Sequence, residues 1–341
     1  MNRIKVLVVE DSIVFRELLV RCLKADPGIE VVATANNPYE ARDAIIKYSP
    51  DVMTLDVELP RMNGIEFLRK LMPQRPVPTV VISSLNDAVF DALEAGAVEF
   101  VNKPSGLNGT QLYNFMQREL VTKIKIASTV KVGKLKKLYE PERTPLGQSL
   151  TRQDKVVAIG ASTGGTEAIL DVVSHFNRDI PGVVIVQHMP PGFTKMYADR
   201  LNEQCTVSVK EAQTGDTVCP GQVLIAPGDK HMKLIRTGNT YKVECVAGER
   251  VSGHCPSVDV LFDSVARAAG KNAVGVILTG MGADGSKGLL NMKQCGAVTI
   301  GQDEASCIVY GMPKVAYEIG AVDYQVPLQA IAGRVYDVLN K

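Results

Sequence analysis

Four ionisable side chains sit where apolar runs stop. Glu10 and Asp11 follow Lys5–Val9, Asp56 closes Val52–Asp56, and Lys103 follows Val98–Asn102, next to Pro104. Any one of these residues reads as a solvated loop residue; all four together, at the ends of the first, third and fifth strands, describe something more specific. Three carboxylates brought together repel one another unless a hard, oxygen-seeking cation joins them. Mg²⁺ fits, because it commonly takes one or two carboxylates, several waters and phosphoryl oxygens. A lysine ammonium opposite them would complete a site for a phosphoryl group on Asp56, and an aspartyl phosphate is a known form of covalent carboxylate chemistry.

A second set of candidates begins at Gly160-Ala-Ser162-Thr-Gly164-Gly165, directly after the apolar run 155–159. A phosphate loop fails here at the residues that carry its mechanism. Ser162 stands where the dinucleotide fingerprint needs glycine, and Thr166 stands where a Walker loop needs lysine. Gly160-x-Ser162-x-Gly164 does fit a strand–turn–helix nucleophile elbow, and the N-terminus of the following helix would favour developing negative charge. An ordinary tight turn fits the spacing equally well. A nucleophilic serine needs a base, and the chain offers His175, His188, His231 and His254. His188 ends the run Val183–Gln187, so it too lies at the carboxyl end of a strand. His175 within a helix and His231 at the start of a hairpin read as structural, and His254, just before a capped helix start at Pro256-Ser257-Val258-Asp259, ranks second. Asp284, in the turn Thr279-Gly-Met-Gly-Ala-Asp-Gly285 after Ala273–Thr279, is the candidate orienting acid, and the glycines of that turn would free backbone N–H groups for an oxyanion. Ser, His and Asp at three separate strand ends suit acyl transfer by the triad logic. Their chain order differs from that of the α/β-hydrolases, so that fold is not assigned.

The elements that must position these residues alternate. Through residue 125, strand patterns (Lys5–Val9, Glu30–Ala35, Val52–Asp56, Thr79–Ser83, Val98–Asn102) are separated by amphipathic helical ones, which predicts a flavodoxin-like (βα)5 unit with an open parallel sheet ordered 2-1-3-4-5. In such sheets function collects at the carboxyl ends of the strands, near the topological switch point. Residues 126–150, with Lys131, Lys134, Lys136, Lys137, Pro141, Pro145 and Gly147, read as a linker whose first part a helix could enter. From 151 to 341 the alternation restarts. It predicts a second, doubly wound, mainly parallel α/β unit carrying a β-hairpin-rich insertion at about Val207–Val246.

Composition narrows the classes of function. The 341 residues are 45% hydrophobic and 22% charged, with a formal net charge of +1. Residues 1–125 hold 15 basic and 16 acidic side chains and residues 151–341 hold 18 and 19, so neither block is a basic domain suited to nucleic acid. No apolar stretch approaches the roughly 20 residues that span a bilayer, and no signal-peptide pattern opens the chain. The seven cysteines are scattered, never as C-x-x-C, which speaks against zinc and a disulfide framework and for a cytoplasmic location.

Val8–Ser12 (VVEDS), Thr54–Gly64 (TLDVELPRMNG), Val81–Ser84 (VISS) and Phe100–Pro104 (FVNKP) resemble the signature of response-regulator receiver domains across the first 125 residues. The resemblance implies phosphorylation on Asp56, Mg²⁺ held by Glu10, Asp11 and Asp56, a phosphoryl contact from Lys103, and a conformational switch through Ser83 and Phe100. Ser83 takes the place of the commoner threonine and keeps its hydroxyl. GASTGG (160–165), VIVQHMPPGFT (184–194), APG (226–228), PSVDVLF (256–262) and ILTGMGADGSKG (277–288) resemble the chemotaxis protein-glutamate methylesterases across residues 155–341. That resemblance implies a Ser162–His188–Asp284 triad and an oxyanion donor at the Met281 N–H. Thr163 and His254 stand as secondary active-site candidates.

The implied reaction is hydrolysis of γ-glutamyl methyl esters on methyl-accepting chemoreceptors, with deamidation of receptor glutamines by the same chemistry. A chemotaxis histidine kinase is the implied phosphodonor. No cofactor is expected in the catalytic unit, and no membrane span anywhere. On this reading the glycines around Ser162 clear space for the receptor's glutamyl side chain, and the unphosphorylated receiver is expected to pack over the Ser162 site. The competing readings are a receptor-binding module with a vestigial hydrolase site and a DNA-binding regulator. The intact triad set disfavours the first, and the size and neutrality of the second block disfavour the other.

Overall fold

The computed structural model describes residues 3–84, 86–104, 106–130 and 155–341. The chain divides into two compact units, Met1–Tyr139 and Glu140–Lys341. In the first, the elements run β1 (Ile4–Val9), α1 (Ile13–Lys24), β2 (Ile29–Ala35), α2 (Pro38–Tyr48), β3 (Val52–Asp56), α3 (Gly64–Gln74), β4 (Thr79–Ser83), α4 (Asn86–Glu94), β5 (Glu99–Asn102) and α5 (Gly109–Ala127). The strands form one parallel sheet in the order β2-β1-β3-β4-β5, as the alternation predicts. β3 and β4 are buried at every position, which is why they read as unbroken apolar runs. Short polar residues start the helices. Ser12 caps α1, Asn37 accepts from the N–H groups of Tyr39 and Glu40, and Asn108 forms a reciprocal capping box with Gln111. α5 carries helix through Ala127, into the first residues of the expected 126–150 linker; positions 131–150 of that span lie outside the described residues.

The second unit contains β6 (Val156–Ala161), α6 (Gly165–Ser174), β7 (Val183–Gln187), α7 (Phe193–Gln204), β8 (Ser208–Glu211), β9 (Gln222–Ile225), β10 (His231–Thr237), β11 (Thr240–Val246), α8 (Val258–Ala269), β12 (Ala273–Ile277), α9 (Ser286–Gln294), β13 (Val298–Gln302), α10 (Met312–Glu318), β14 (Tyr324–Val326) and α11 (Leu328–Leu339). Seven of these strands form one parallel sheet in the order β14-β13-β12-β6-β7-β9-β8. The expected insertion is therefore smaller than Val207–Val246. β8 and β9 belong to the main sheet, and only β10 and β11 form a separate antiparallel hairpin.

Strand order runs outward in both directions from the β6–β12 pair, so the switch point lies between these two strands. Loops leaving their carboxyl ends diverge there and open a crevice. Ser162 and the Thr279–Gly285 turn follow those two strands. The apolar face of α8, with Val258, Leu261, Phe262 and Val265 all buried, packs into the same core as Val184 and Val186 of β7 and Leu289 of α9.

Candidate active site

The register of the second sheet sets the site. Gly160 of β6 lies level with Val186 of β7 and Ile277 of β12. One step beyond the strands, the Ser162 N–H donates to Thr279 O (3.0 Å) and the His188 N–H to Ala161 O (3.1 Å), so the three chain ends leave the sheet side by side. Ser162 is half-buried, and its hydroxyl makes no hydrogen bond among the described residues. The His188 Nε2 pairs with Asp284 Oδ2 at 2.7 Å, while Nδ1 is buried without a hydrogen-bond partner. The nitrogen left for a proton transfer is thus Nδ1. In the serine-protease template the carboxylate takes Nδ1 and leaves Nε2, so the ring is oriented the other way round here.

Asp284 is 2% exposed and heavily subscribed. Besides His188 it accepts from Ser257 Oγ (2.8 Å), the Val258 N–H (2.7 Å) and the Asp259 N–H (3.1 Å), all at the N-terminus of α8. Burial pushes its carboxyl up, but the His188 hydrogen bond and charge and the α8 amides outweigh this and leave it at about 2. The acid is thus ionised and fixed in direction. These α8 contacts went unseen in the sequence: Pro256-Ser257-Val258-Asp259 was legible as a helix cap, yet Ser257 caps through Val260 N–H and donates to Asp284 at the same time. Gln187 was missed as well. Its amide donates both to Ser162 O (2.9 Å) and to His188 O (3.2 Å), tying the serine's backbone to the histidine's.

The remaining candidates sort clearly. The Met281 N–H makes no hydrogen bond among the described residues, whereas its neighbour Gly280 donates to Val309 O at 3.0 Å. An N–H left free beside the serine turn suits an oxyanion. Thr163 is 3% exposed, and its carbonyl accepts the Thr279 hydroxyl at 3.0 Å. His254 stacks on His188, ring centroids 3.7 Å apart and planes 9° from parallel. His231 is structural, its Nε2 donating to Glu249 O and its Nδ1 accepting from the Ser257 N–H. His175 caps α6 and bonds Asp171 O.

Two expectations about the serine turn need correction. The positive φ falls on Gly164 (75°) and not on Ser162, so this is not the elbow in which the nucleophile itself carries the strain. Nor do the glycines open room for a ligand. A Cβ on Gly160 would lie 2.2 Å from Val258 Cγ1 of α8, one on Gly164 2.7 Å from Ile308 Cβ, and one on Gly165 2.1 Å from Gln187 Oε1. They let the protein's own elements close on the turn. Gly160→Ala should accordingly lower the thermal midpoint of the second unit, with a cost of about 1–3 kcal/mol for overpacking, read by differential scanning calorimetry on the full chain.

In the first unit, Glu10 and Asp56 are almost fully buried and Asp11 is exposed, and one carboxylate oxygen from each lies within 4.8 Å of the others. Lys103 Nζ bridges Glu10 Oε2 (3.0 Å) and Asp56 Oδ2 (2.7 Å). Burial, and then the Asp56 charge beside it, push the Glu10 carboxyl up to about 7 even with Lys103 present. Three clustered carboxylates that Lys103 bridges only in part leave negative charge that a divalent metal would relieve, so the residues fit Mg²⁺. Ser83, 1% exposed, closes β4, and its carbonyl accepts the Lys103 N–H at 2.9 Å; Phe100, 6% exposed in β5, pairs with Val81 of β4, and its ring lies 4.7 Å from Lys123 Nζ.

This arrangement is matched by known proteins. Residues 157–335 match the CheB methylesterase model, and residues 6–114 match the response regulator receiver domain model. The chain belongs to the CheB methylesterase family. It is 60% identical over its whole length to a protein-glutamate methylesterase/protein-glutamine glutaminase of Syntrophomonas wolfei, covering 99% of that protein. It is 48% identical to the enzyme of that name from Salmonella typhimurium, over 97% of this chain and 96% of that one. The crystal structure of the Thermotoga maritima CheB methylesterase catalytic domain superposes on 54% of this CheB-family chain and 98% of its own, with TM-score 0.53 and 38% identity. Its mainly parallel α/β architecture is the one described above. No helix among the described residues is long and apolar enough to cross a membrane.

Protonation makes the site acid-sensitive. Burial and the neighbouring His188 hold the His254 imidazole down at about 4, against an ordinary 6.5. Between these values the unfolded chain binds the proton and the folded one does not, so stability is complete above about 6.5 and declines as pH falls towards 4. Chemical denaturation at a series of pH values should show this decline for the second unit, and His254→Phe should flatten it.

Proposed function

We propose that this protein is a phosphorylation-activated serine hydrolase that removes γ-glutamyl methyl esters from chemoreceptors and deamidates receptor glutamines. The observation that carries the reading is the His188–Asp284 pair with its unpartnered Nδ1, set beside a serine whose hydroxyl is uncommitted. Ser162 Oγ attacks the ester carbonyl as its proton passes to Nδ1 of His188. The Nε2–H donated to Asp284 stabilises the imidazolium, and the Met281 N–H takes the oxyanion. Collapse breaks the bond to methoxide, which leaves as methanol with the His188 proton. Water then enters, gives its proton to Nδ1 and attacks the acyl carbon. Ser162 leaves reprotonated, and glutamate is restored. With a glutamine substrate, ammonia leaves in place of methanol.

Control comes from the first unit, residues 1–125 on this reading, joined through 126–150 to a catalytic unit spanning 151–341. Asp56 accepts the phosphoryl group, Lys103 contacts it, and Ser83 and Phe100 carry the change onward. Glu10, Asp11 and Asp56 would hold Mg²⁺, which supplies charge neutralisation for attack on the phosphodonor. A histidine kinase in the cytoplasm is the donor, and the switch is a population shift set by a local charge change. The test is methanol release from methylated receptor membranes, with and without Mg²⁺ and a small phosphodonor. Release that rises with phosphodonor and disappears in Ser162→Ala supports both halves; no release from folded, phosphorylated protein sinks the enzyme reading. Deleting residues 1–150 should raise basal release, and an unchanged basal rate would remove restraint by the first unit from the scheme.

A further inference from the structure

We propose that His254 is a positioning residue for the acyl-transfer step: a tight turn lays its imidazole flat on that of His188, fixing the plane of the base and closing that face to water. The proposal rests on His188 being the general base. The rings are 3.7 Å apart and within 9° of parallel, a full face-to-face overlap. The turn behind His254 is built to hold it. Val251 and His254 exchange both backbone hydrogen bonds, at 2.9 and 3.0 Å, and the two residues between them, Ser252 (φ 52°) and Gly253 (φ 84°), are both left-handed. That is the backbone of a primed two-residue turn, the tightest way to reverse a chain. Ser252 Oγ is in turn tied to Asp259 Oδ2 at 3.4 Å.

The same stretch then runs through Cys255 and Pro256 into Ser257, Val258 and Asp259, whose hydroxyl and N–H groups hold Asp284. One run of chain therefore fixes the acid from below and the base from one face. The base needs such a brace. His188 has a single side-chain hydrogen bond, at Nε2, and rotation about its Cβ–Cγ bond would displace the buried Nδ1 and break the pair with Asp284. A stacked ring blocks that rotation without offering a competing hydrogen bond. The groups facing His254 are His188, Asp284 and Arg250, and burial together with His188 keeps it neutral at neutral pH, so it neither competes for the Ser162 proton nor places a second full charge on the imidazolium.

The experiment uses the full-length protein with Mg²⁺ and saturating phosphodonor on methylated receptor membranes, comparing His254→Phe, His254→Leu and His254→Ala. A lost aromatic pair predicts a fall in kcat of roughly three- to tenfold in the leucine and alanine variants, with KM unchanged. Phenylalanine should restore most of it, because the face is retained and the nitrogens are not. Imidazole ¹⁵N spectra should show His188 in one fixed tautomer in the wild type and His254→Phe, and averaging between tautomers in His254→Leu. Phenylalanine performing no better than leucine would overturn the proposal, since the nitrogens would then matter. Unchanged kcat in the leucine variant, or a loss confined to KM, would overturn it too. Wild-type protein that releases no methanol condemns the esterase reading, whereas an active wild type, a silent Ser162→Ala and an indifferent leucine variant condemn only this inference.

Discussion

Asp284→Asn should lower methanol release by about 10³–10⁴-fold, the scale of the corresponding change in the serine-protease triad. Asp284 takes four donors: His188 Nε2, the Ser257 hydroxyl and the N–H groups of Val258 and Asp259. A carboxylate accepts all four, whereas an amide must turn an NH₂ towards some of them. If the NH₂ faces His188, the ring has to shift its proton to Nδ1, and the nitrogen meant to receive the Ser162 proton is then occupied. If it takes the Oδ1 position instead, the Asp259 N–H and the Ser257 hydroxyl meet a donor. Either way the loss falls on kcat. The variant should also lose on the order of 1–3 kcal/mol of stability, the cost of buried donors left unsatisfied. Circular dichroism separates the two effects: a folded protein at the assay temperature with a residual rate near one-thousandth of wild type supports the assignment, and a loss below tenfold removes Asp284 from the triad.

Asp56→Asn should abolish stimulation by phosphodonor while leaving basal methanol release in place. Asp56 closes β3, is 3% exposed, and meets Lys103 at 2.7 Å. An amide there lacks the nucleophilic oxygen that forms an aspartyl phosphate, and it weakens any Mg²⁺ shared with Glu10 and Asp11. The ratio of rates with and without phosphodonor should fall to one, and radiolabelled phosphodonor should leave no acid-stable, base-labile label on the variant. Stimulation that survives in Asp56→Asn would place the acceptor elsewhere.

Much of this molecule is legible in its residues because parallel sheets bury both faces and write themselves as apolar runs. β3, β4, β7 and β12 stand out for that reason, and the residues that end them are then the natural places to look for chemistry. β8, β9 and β14 do not stand out. They are only three or four residues long and carry polar or half-exposed positions, as at sheet margins, so their pairing is decided by the neighbours they meet. The glycines of the serine turn mislead for a related reason. A glycine signals close approach but not what approaches, and here Val258, Ile308 and Gln187 come from elements remote in sequence. The stacking of His254 on His188 was beyond reach as well, because a histidine before a cap has no sequence mark that separates a brace from a base.

The pairing of β6 with β12 has a consequence for how the enzyme is made. The histidine and its acid are 96 residues apart in the chain, and the strand that delivers the acid sits beside the one that delivers the serine. Translation therefore exposes Ser162 and His188, the proposed nucleophile and base, before α8 and Asp284 have left the ribosome. Pairings of such long sequence separation close slowly. On the proposed triad, a chain truncated before α8 holds Ser162 and His188 but lacks the carboxylate that pairs with His188 Nε2. Esterase activity then waits on one late step, the pairing of β12 with β6 that carries the Asp284 turn to His188.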